Sequence, residues 1–203
     1  VVKGFMIQTG DPSIKPGHAP AAVDTNAYRY TIPAEIVYPR HFHKKGALAA
    51  ARMGDDVNPE KASSATQFYI VTGKTFSSGK LMELYSLVYQ DKVDQLKEEL
   101  SRPHIKEMYM LRKQGKQSEL EALKDSILHQ AEKQIAENPP LPFTDTQKKF
   151  YEEEGGAPHL DGEYTVFGEV VEGLNVAEAI EKVKTAKERP LQEIVIKKVT
   201  VLE

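Results

Sequence analysis

The sequence predicts a mainly β protein that carries a large helical insertion. Short β-branched and aromatic runs, bounded by glycine and proline, occur near both ends of the chain. Between them, leucines recur at helical spacing among lysines and glutamates. The predicted organisation is therefore a β part over residues 1–75, a helical insertion over 76–157 and a second β part over 158–203.

The composition sets limits on the kind of protein. A chain of 203 residues with 40% hydrophobic residues can bury a substantial core. The 27 basic and 30 acidic residues are interspersed, so no basic face is predicted and nucleic acid is not expected as a partner. The absence of cysteine excludes disulfides, a thiol nucleophile and a thiolate metal site. No apolar run approaches the roughly 18 to 20 residues of a membrane span, so none is predicted.

The first elements follow from local signals. A strand is predicted over Val1 to Ile7, ended by Gly10 and the residues after it. Pro12 to Asn26 is predicted to be a loop because prolines and a glycine interrupt it. Tyr28 to Val37 is predicted to be an edge strand or extended segment, since Pro33 limits its pairing.

The segment from Gly46 to Thr72 predicts two strands and a groove. A run of alanines is followed by a polar loop and then by an aromatic strand over Gln67 to Val71. Side chains alternate along a strand, so Gln67 and Tyr69 share a face. The small side chains are expected to let a backbone or ligand approach; they are Ala47, Ala49, Ala50 and Ala51.

His41 and His43 lie two residues apart, between the extended segment that ends at Val37 and the segment that begins at Gly46. On an extended backbone they would share a face and could bind a metal. However, no third ligand lies nearby in the sequence. The favoured interpretation is two loop histidines.

The sequence of the insertion predicts four helices. The first contains the leucines from Leu81 to Leu100 and is interrupted at Pro103, and the second ends near Gly115. The third is predicted to begin at Ser118, which forms a capping-box pattern with Glu121, and to end at Asn138-Pro139-Pro140.

Thr144 and Gln147 predict a cap for the fourth helix, which Gly155-Gly156 terminates. These helices are expected to form a hairpin or small bundle. Two alternatives stay open: the apolar stripes bury one another, or one stripe faces outward to hold clients or a partner subunit.

The C-terminal part predicts two more strands and a helix. Tyr164 to Val171 is predicted to be a strand, and Val176 to Lys184 a helix that follows Gly173. Ile194 to Leu202 alternates with valine and isoleucine on both faces, so a final strand covered on both sides is expected.

Three ordered motifs carry a family resemblance. They are GFMIQ.GD from Gly4, QFYI from Gln67, and LDG...VFG.V from Leu160, followed by EGLNV from Glu172. With them, the chain resembles the cyclophilin family of peptidyl-prolyl isomerases, and in particular bacterial members with a large helical insertion. The resemblance implies an antiparallel β-barrel. It also implies two strands, a helix and a catalytic arginine before Val1, which this sequence does not contain.

The resemblance assigns site residues by position. It implies catalytic roles for Gln8, Phe5 and Tyr69. The implied substrate-binding residues are Met6, Ala51, Arg52, Gln67, His159, Leu160 and Tyr164. Within this set, four residues match the proline pocket, namely Phe5, Met6, Tyr69 and Leu160. Gln8 and Gln67 match the polar groups beside the substrate backbone, and Ala51 and Arg52 match the main-chain pair that holds the residue before proline.

Two positions depart from the family pattern. Tyr164 occurs where many members have histidine, and His159 occurs where members that bind cyclosporin tightly have tryptophan. The resemblance therefore implies weak cyclosporin binding at most.

The resemblance implies a peptidyl-prolyl cis-trans isomerase that assists the folding of proline-containing polypeptides without a cofactor. The alternatives are a non-catalytic module that binds proline peptides or clients through the insertion, and a subunit that dimerises through it. The compartment is left open, with the periplasm or cell envelope favoured over the cytoplasm by the resemblance to bacterial members.

Overall fold

A computed structural model describes residues 1–12 and 30–202. Most of the loop predicted over Pro12 to Asn26 lies outside the described residues. The described chain packs as two compact units. One comprises Val1–Ser78 and Thr144–Glu203, and the other comprises Gly79–Phe143. The predicted domain limits at 75 and 157 stay a prediction.

A four-stranded antiparallel sheet organises the first unit. Its strands, in spatial order, are β1 (Met6–Thr9), β5 (Phe68–Val71), β3 (Ala47–Ala50) and β6 (Val166–Glu169). Sequence-distant segments therefore lie side by side, with β5 in contact with both β1 and β3. The predicted antiparallel sheet is confirmed, whereas closure into a barrel stays a prediction.

The N-terminal strand begins later than predicted. Gly4 has φ +67°, and the N–H groups of Phe5 and Met6 both donate to the carbonyl of Val2. The backbone therefore turns before Met6, because a left-handed glycine directs the chain out of an extended conformation.

The extended segment that was predicted to end at Val37 is also shorter than expected. Only β2 (Thr31–Ile32) forms a ladder, with β4 (Ser63–Ser64), while Tyr28 lies outside the described residues. Beyond Ile32, Pro33 removes a backbone donor, and the chain leaves the ladder there.

The unit from Gly79 to Phe143 is helical. It contains α1 (Ser78–Ser101, whose first residue belongs to the other unit), a 3₁₀ turn (Arg102–His104), α2 (Ile105–Lys113) and α3 (Gln117–Glu137). The predicted interruption at Pro103 and the predicted end near Gly115 are confirmed. None of the described helices combines the length and apolar character needed to cross a membrane.

The predicted capping box at Ser118 is wrong. The helix begins one residue earlier, with Lys116 at the N-cap and no side-chain cap, so Ser118 is exposed inside the first turn. The pattern alone did not define the cap because the N-cap residue must itself leave the helical conformation, and here Lys116 does so.

The predicted capping box of α4 (Asp145–Glu153) is confirmed. Thr144 Oγ1 accepts from the N–H of Gln147 at 3.2 Å, and the Gln147 side chain accepts from the N–H of Thr144 at 2.8 Å. The helix ends before Gly155, which has φ +96°. Two of the unsatisfied donors at the start of a helix are thereby paired.

Thr144→Ala is expected to lower the free energy of unfolding by about 1 kcal/mol, because it removes the side-chain acceptor of an N-cap. Ser118→Ala is the matched control, since it deletes a hydroxyl that caps nothing; its expected change is within about 0.5 kcal/mol. Urea denaturation followed by circular dichroism measures both. Equal losses in the two variants would contradict the assignment of the cap.

The C-terminal part contains the predicted helix and lacks the predicted last strand. Helix α5 (Leu174–Ile180) is followed by a short hairpin of β7 (Thr185–Ala186) and β8 (Arg189–Pro190), which the sequence patterns did not indicate. The predicted strand over Ile194 to Leu202 is wrong in this structure: the segment has no ladder, and its side chains are exposed, Val201 at 85%. A β-branched sequence needs a neighbouring strand to form a ladder, and none of the described segments pairs with it.

The core of the first unit lies against one face of the sheet. It combines small and larger apolar side chains, all of them buried: Ala47, Ala49, Tyr69, Val71 and Ala157. The alanines were expected to border an open groove, but Ala47, Ala49 and Ala50 are buried. The small size of Ala49 instead leaves room for the ring of Tyr69, since β3 and β5 place the two residues directly opposite each other.

Candidate functional site

One cavity of about 880 Å³ lies in the first unit, beside the core. Nine of the ten site residues predicted from the sequence line it, so residues from distant segments meet at one place. They are Phe5, Met6, Gln8, Ala51, Arg52, Gln67, Tyr69, Leu160 and Tyr164. His159 is the exception.

The bottom of the cavity is apolar and aromatic. Tyr69 projects from β5 and is 2% exposed. The ring of Tyr164 meets it edge to face at 6.0 Å, and Phe5, Met6 and Leu160 pack against the same core cluster. Edge-to-face packing is a favoured geometry for aromatic pairs, so these rings form a firm apolar surface.

Two amide side chains lie at the rim. Gln8 is directly opposite Tyr69 in the β1–β5 ladder, and its Nε2 donates to Oε1 of Gln67 at 3.1 Å. Both side chains were predicted to lie beside a bound backbone. Within the described part of the chain, their mutual bond leaves the second amide hydrogen of Gln8 and both amide hydrogens of Gln67 as donors for a ligand.

The main chain of Ala51 is used within the protein. Its N–H donates to Gln67 O at 3.0 Å, and its carbonyl accepts from the N–H of Ser64 at 2.8 Å. Among the residues that the structure describes, the N–H and carbonyl of Arg52 have no main-chain partner. Of the pair predicted to hold a substrate backbone, Arg52 is therefore the member with available main-chain groups.

The Arg52 side chain is enclosed, with 6% exposure. Its Nε donates to Glu163 O at 2.9 Å, and its guanidinium lies 4.5 Å from the centre of the Tyr164 ring. Asp55 accepts hydrogen bonds from both Arg52 and Lys61, and that of Lys61 is the larger cause of the lowered pKa of the Asp55 carboxyl. These contacts hold the Arg52 guanidinium against the Tyr164 ring and so fix Tyr164 in place.

His159 lies outside the cavity wall. It is exposed, and its ring centre is 5.0 Å from that of Phe5. Desolvation against its neighbours lowers the pKa of His159, and a charge on His43 would lower it further. His159 thus supports Phe5 from outside, and its predicted contact with a substrate stays a prediction.

His43 lies in a loop, as interpreted from the sequence, but its burial was not expected. It is 1% exposed and lies beneath the cavity. Its Nδ1 is 3.0 Å from Oδ1 of Asp161, and its Nε2 is 2.9 Å from the hydroxyl of Tyr69. Both ring nitrogens are therefore engaged in side-chain hydrogen bonds.

Asp161 links this histidine to α4. Its Oδ2 accepts from the hydroxyl of Tyr151 at 2.7 Å and from Nε2 of Gln147 at 3.3 Å, while its Oδ1 also accepts from the N–H of His43 at 2.8 Å. Burial, with Asp161 adding to it, raises the pKa of Tyr151 above its ordinary value. Tyr151 thus remains a hydrogen-bond donor at neutral pH.

Sequence reasoning missed this buried network. Asp161 belongs to the LDG motif, which could have marked it, whereas nothing in the local sequence marks His43 or Tyr151 as buried. It also missed Met53 and Val57, which line the outer cavity and are largely exposed. Their loop lacks the regular spacing that identifies a buried face.

The fold and cavity together define a class of domain: a small antiparallel sheet beside a groove that has an aromatic floor and amides at its rim. Within that class, the chain belongs to the cyclophilin type peptidyl-prolyl cis-trans isomerase/CLD family, whose model matches residues 1–95 and 136–201. The family resemblance stated from the three motifs is confirmed. That the chain is bacterial stays a prediction.

Curated relatives match shorter stretches. The chain is 54% identical to peptidyl-prolyl cis-trans isomerase D of Eremothecium gossypii over 37 residues, 18% of this chain and 10% of that protein. It is 35% identical to peptidyl-prolyl cis-trans isomerase CYP18-1 of Arabidopsis thaliana over 80 residues, 39% of this chain and 49% of that protein. It is 40% identical to peptidyl-prolyl cis-trans isomerase-like 3 of Homo sapiens over 55 residues, 26% of this chain and 34% of that protein. The matches thus span half or less of each of these relatives.

Proposed function

We propose that this chain provides the peptide groove of a peptidyl-prolyl cis-trans isomerase that acts on Xaa-Pro bonds of polypeptide clients and assists their folding. The observation that carries the proposal is the convergence of nine predicted site residues on one cavity. Membership of the family and the names of the relatives support it.

The chemistry needs no cofactor. An Xaa-Pro bond isomerises in tens to hundreds of seconds because the amide must lose its conjugation. An apolar cup that holds the proline ring, with donors placed for the twisted amide, lowers that barrier. Phe5, Met6, Tyr69 and Leu160 supply the cup, and the amides of Gln8 and Gln67 lie beside it. The arginine that the resemblance implies before Val1 would supply the donor to the proline nitrogen.

Recognition of the residue before proline is assigned to Arg52. Its main-chain N–H and carbonyl have no main-chain partner among the described residues, whereas Ala51 forms part of the wall. Weak cyclosporin binding at most is also proposed, because an exposed His159 contacts Phe5 and does not line the cavity.

The helices are proposed to form an insertion within the isomerase domain. The family model leaves residues 96–135 unmatched, and this stretch contains most of α3 and all of α2. The barrel, which this sheet of four strands does not close, is proposed to be completed by the strands that the resemblance implies before Val1.

The activity is tested with the natural polypeptide that contains this sequence. A protease-coupled assay on a proline tetrapeptide is expected to show cis-to-trans conversion above the spontaneous rate. A rate equal to that of the spontaneous reaction would overturn the catalytic proposal.

A client-binding role is the second candidate, and exposed apolar side chains on α2 favour it. Ile105 and Tyr109 are 61% and 63% exposed and lie one helical turn apart, on one face. The double variant Ile105→Ser with Tyr109→Ser is expected to lose protection of a denatured client against aggregation while peptide turnover is kept. Lys106→Ser, an exposed change on the same helix, is the control. Unchanged client protection in the double variant would remove this candidate.

A further inference from the structure

We propose that His43 is a positioning residue for the reaction: it fixes the ring of Tyr69 at the bottom of the proline cup through a hydrogen bond to the Tyr69 hydroxyl. The inference rests on the proposed function, because it assigns a role within the same site. His43 does not line the cavity and would not contact the substrate.

The hydrogen-bond directions follow from the acceptor at Asp161. A carboxylate only accepts, so Nδ1 of His43 carries the proton that points to Oδ1. In the tautomer with its proton on Nδ1, Nε2 is an acceptor, and it lies 2.9 Å from the Tyr69 hydroxyl. Burial raises the pKa of Tyr69, with Tyr164 adding to the shift, so the hydroxyl keeps a proton that it can donate to Nε2.

The position of His43 is in turn set by Asp161. Oδ1 of Asp161 holds both its main-chain N–H and its Nδ1. Tyr151 and Gln147, both on α4, hold the other carboxylate oxygen. The hydrogen bonds therefore run from α4 through Asp161 and His43 to Tyr69, in side chains that are almost fully buried.

This arrangement adds a directional restraint to a ring that is otherwise held by apolar contacts alone. The Tyr69 and His43 rings are nearly parallel, 13° apart, with their centres 6.0 Å from each other. Ala49, directly opposite Tyr69, contributes only a methyl group to the packing around the ring. A hydroxyl tethered at its far end fixes the ring, and productive geometry in a site is sensitive to displacements on the order of 1 Å.

The test is a double-mutant cycle between His43→Asn and Tyr69→Phe. The Asn amide nitrogen takes the place of Nδ1 and keeps the bond to Asp161, but nothing replaces Nε2 as the acceptor for Tyr69. His43→Asn is expected to lower kcat/KM about tenfold, because it leaves a buried hydroxyl unsatisfied. In the Tyr69→Phe background, the same change is expected to cost less than about threefold, since the hydroxyl is gone.

His41→Asn is the matched control, because it makes the same chemical change at an exposed histidine two residues away. Its kcat/KM is expected to stay within about twofold of the starting protein. Rates are compared per folded molecule, with folding followed by circular dichroism. An equal loss from His43→Asn in both backgrounds, or no loss in either, would overturn the proposal.

Two further measurements keep the test independent of folding and of catalysis. Nitrogen-15 spectra of the unsubstituted protein are expected to show His43 protonated at Nδ1 and unprotonated at Nε2; the opposite tautomer would overturn the inference even if His43→Asn fails to fold.

The Kd of a proline peptide is expected to follow the same cycle as kcat/KM. If no variant turns over peptide but the Kd values follow the cycle, the positioning role stands and the catalytic proposal fails. If the Kd values also show no coupling between the two substitutions, both the positioning role and the catalytic proposal fail.

Discussion

Gly156→Ala is expected to lower the free energy of unfolding by about 3 kcal/mol, the size of a severe overpacking change. A methyl group at Gly156 would lie 2.4 Å from the carbonyl oxygen of His43 and 2.5 Å from the ring of Tyr151. Neither neighbour can give way easily: His43 is 1% exposed and Tyr151 is 0% exposed. The same carbonyl accepts the N–H of Ala157 at 2.8 Å, so any shift also disturbs that bond.

Urea denaturation followed by near-ultraviolet circular dichroism measures the loss, because the tyrosines around Gly156 report on packing. Gly54→Ala is the matched control in the same unit. Among residues 1–12 and 30–202, the only neighbour its methyl would crowd is the side chain of Asp56, whose far end can rotate away. Its expected change is within about 0.5 kcal/mol. Gly156→Ala with a stability equal to that of Gly54→Ala would contradict the tight packing of His43 against Tyr151.

Phe5→Ala is expected to have the largest effect on peptide turnover, a loss in kcat/KM of about 30-fold. The ring lines the cavity, and its removal takes away apolar contact worth about 2 kcal/mol to a bound proline ring. The main chain at this position keeps its role, since the carbonyl of Phe5 still accepts from Thr72 and Gly73. The loss is therefore expected in the site more than in the sheet.

Phe167→Ala is the matched control for that change. Phe167 lies on β6, is 58% exposed and does not line the cavity. Its kcat/KM is expected to stay within about twofold of the starting protein. Turnover by Phe5→Ala within about threefold of the starting protein would contradict the placement of the proline ring against Phe5.

Much of the local structure was predictable because it depends on residues close together in sequence. Pro103 interrupts the long helix, Asn138 and the prolines after it end α3, and Thr144 with Gln147 caps α4, all as predicted. The Ser118 cap failed although it has the same pattern, because Lys116 takes the N-cap conformation instead. A capping pattern thus indicates a candidate, and the backbone decides which residue is used.

Strand ends were less predictable because strands depend on partners. Ile194 to Leu202 has the composition of a buried strand, yet it is exposed and unpaired among the described residues. By contrast, the short β3 and β5 form where predicted, since each finds a neighbour across the sheet. A segment with strand propensity forms a strand only where a second segment supplies hydrogen-bond partners.

The amino-acid sequence by itself determined the family, the order of helices and nine residues that share one cavity, because each depends on local pattern or on motifs. Only the tertiary structure decided that His43 is buried, that Asp161, 118 residues further along the chain, holds it, and that the main chain of Ala51 is already paired. The physical reason is that burial and hydrogen-bond partners are set by contacts between distant segments. Such contacts leave no periodicity in the sequence around either partner.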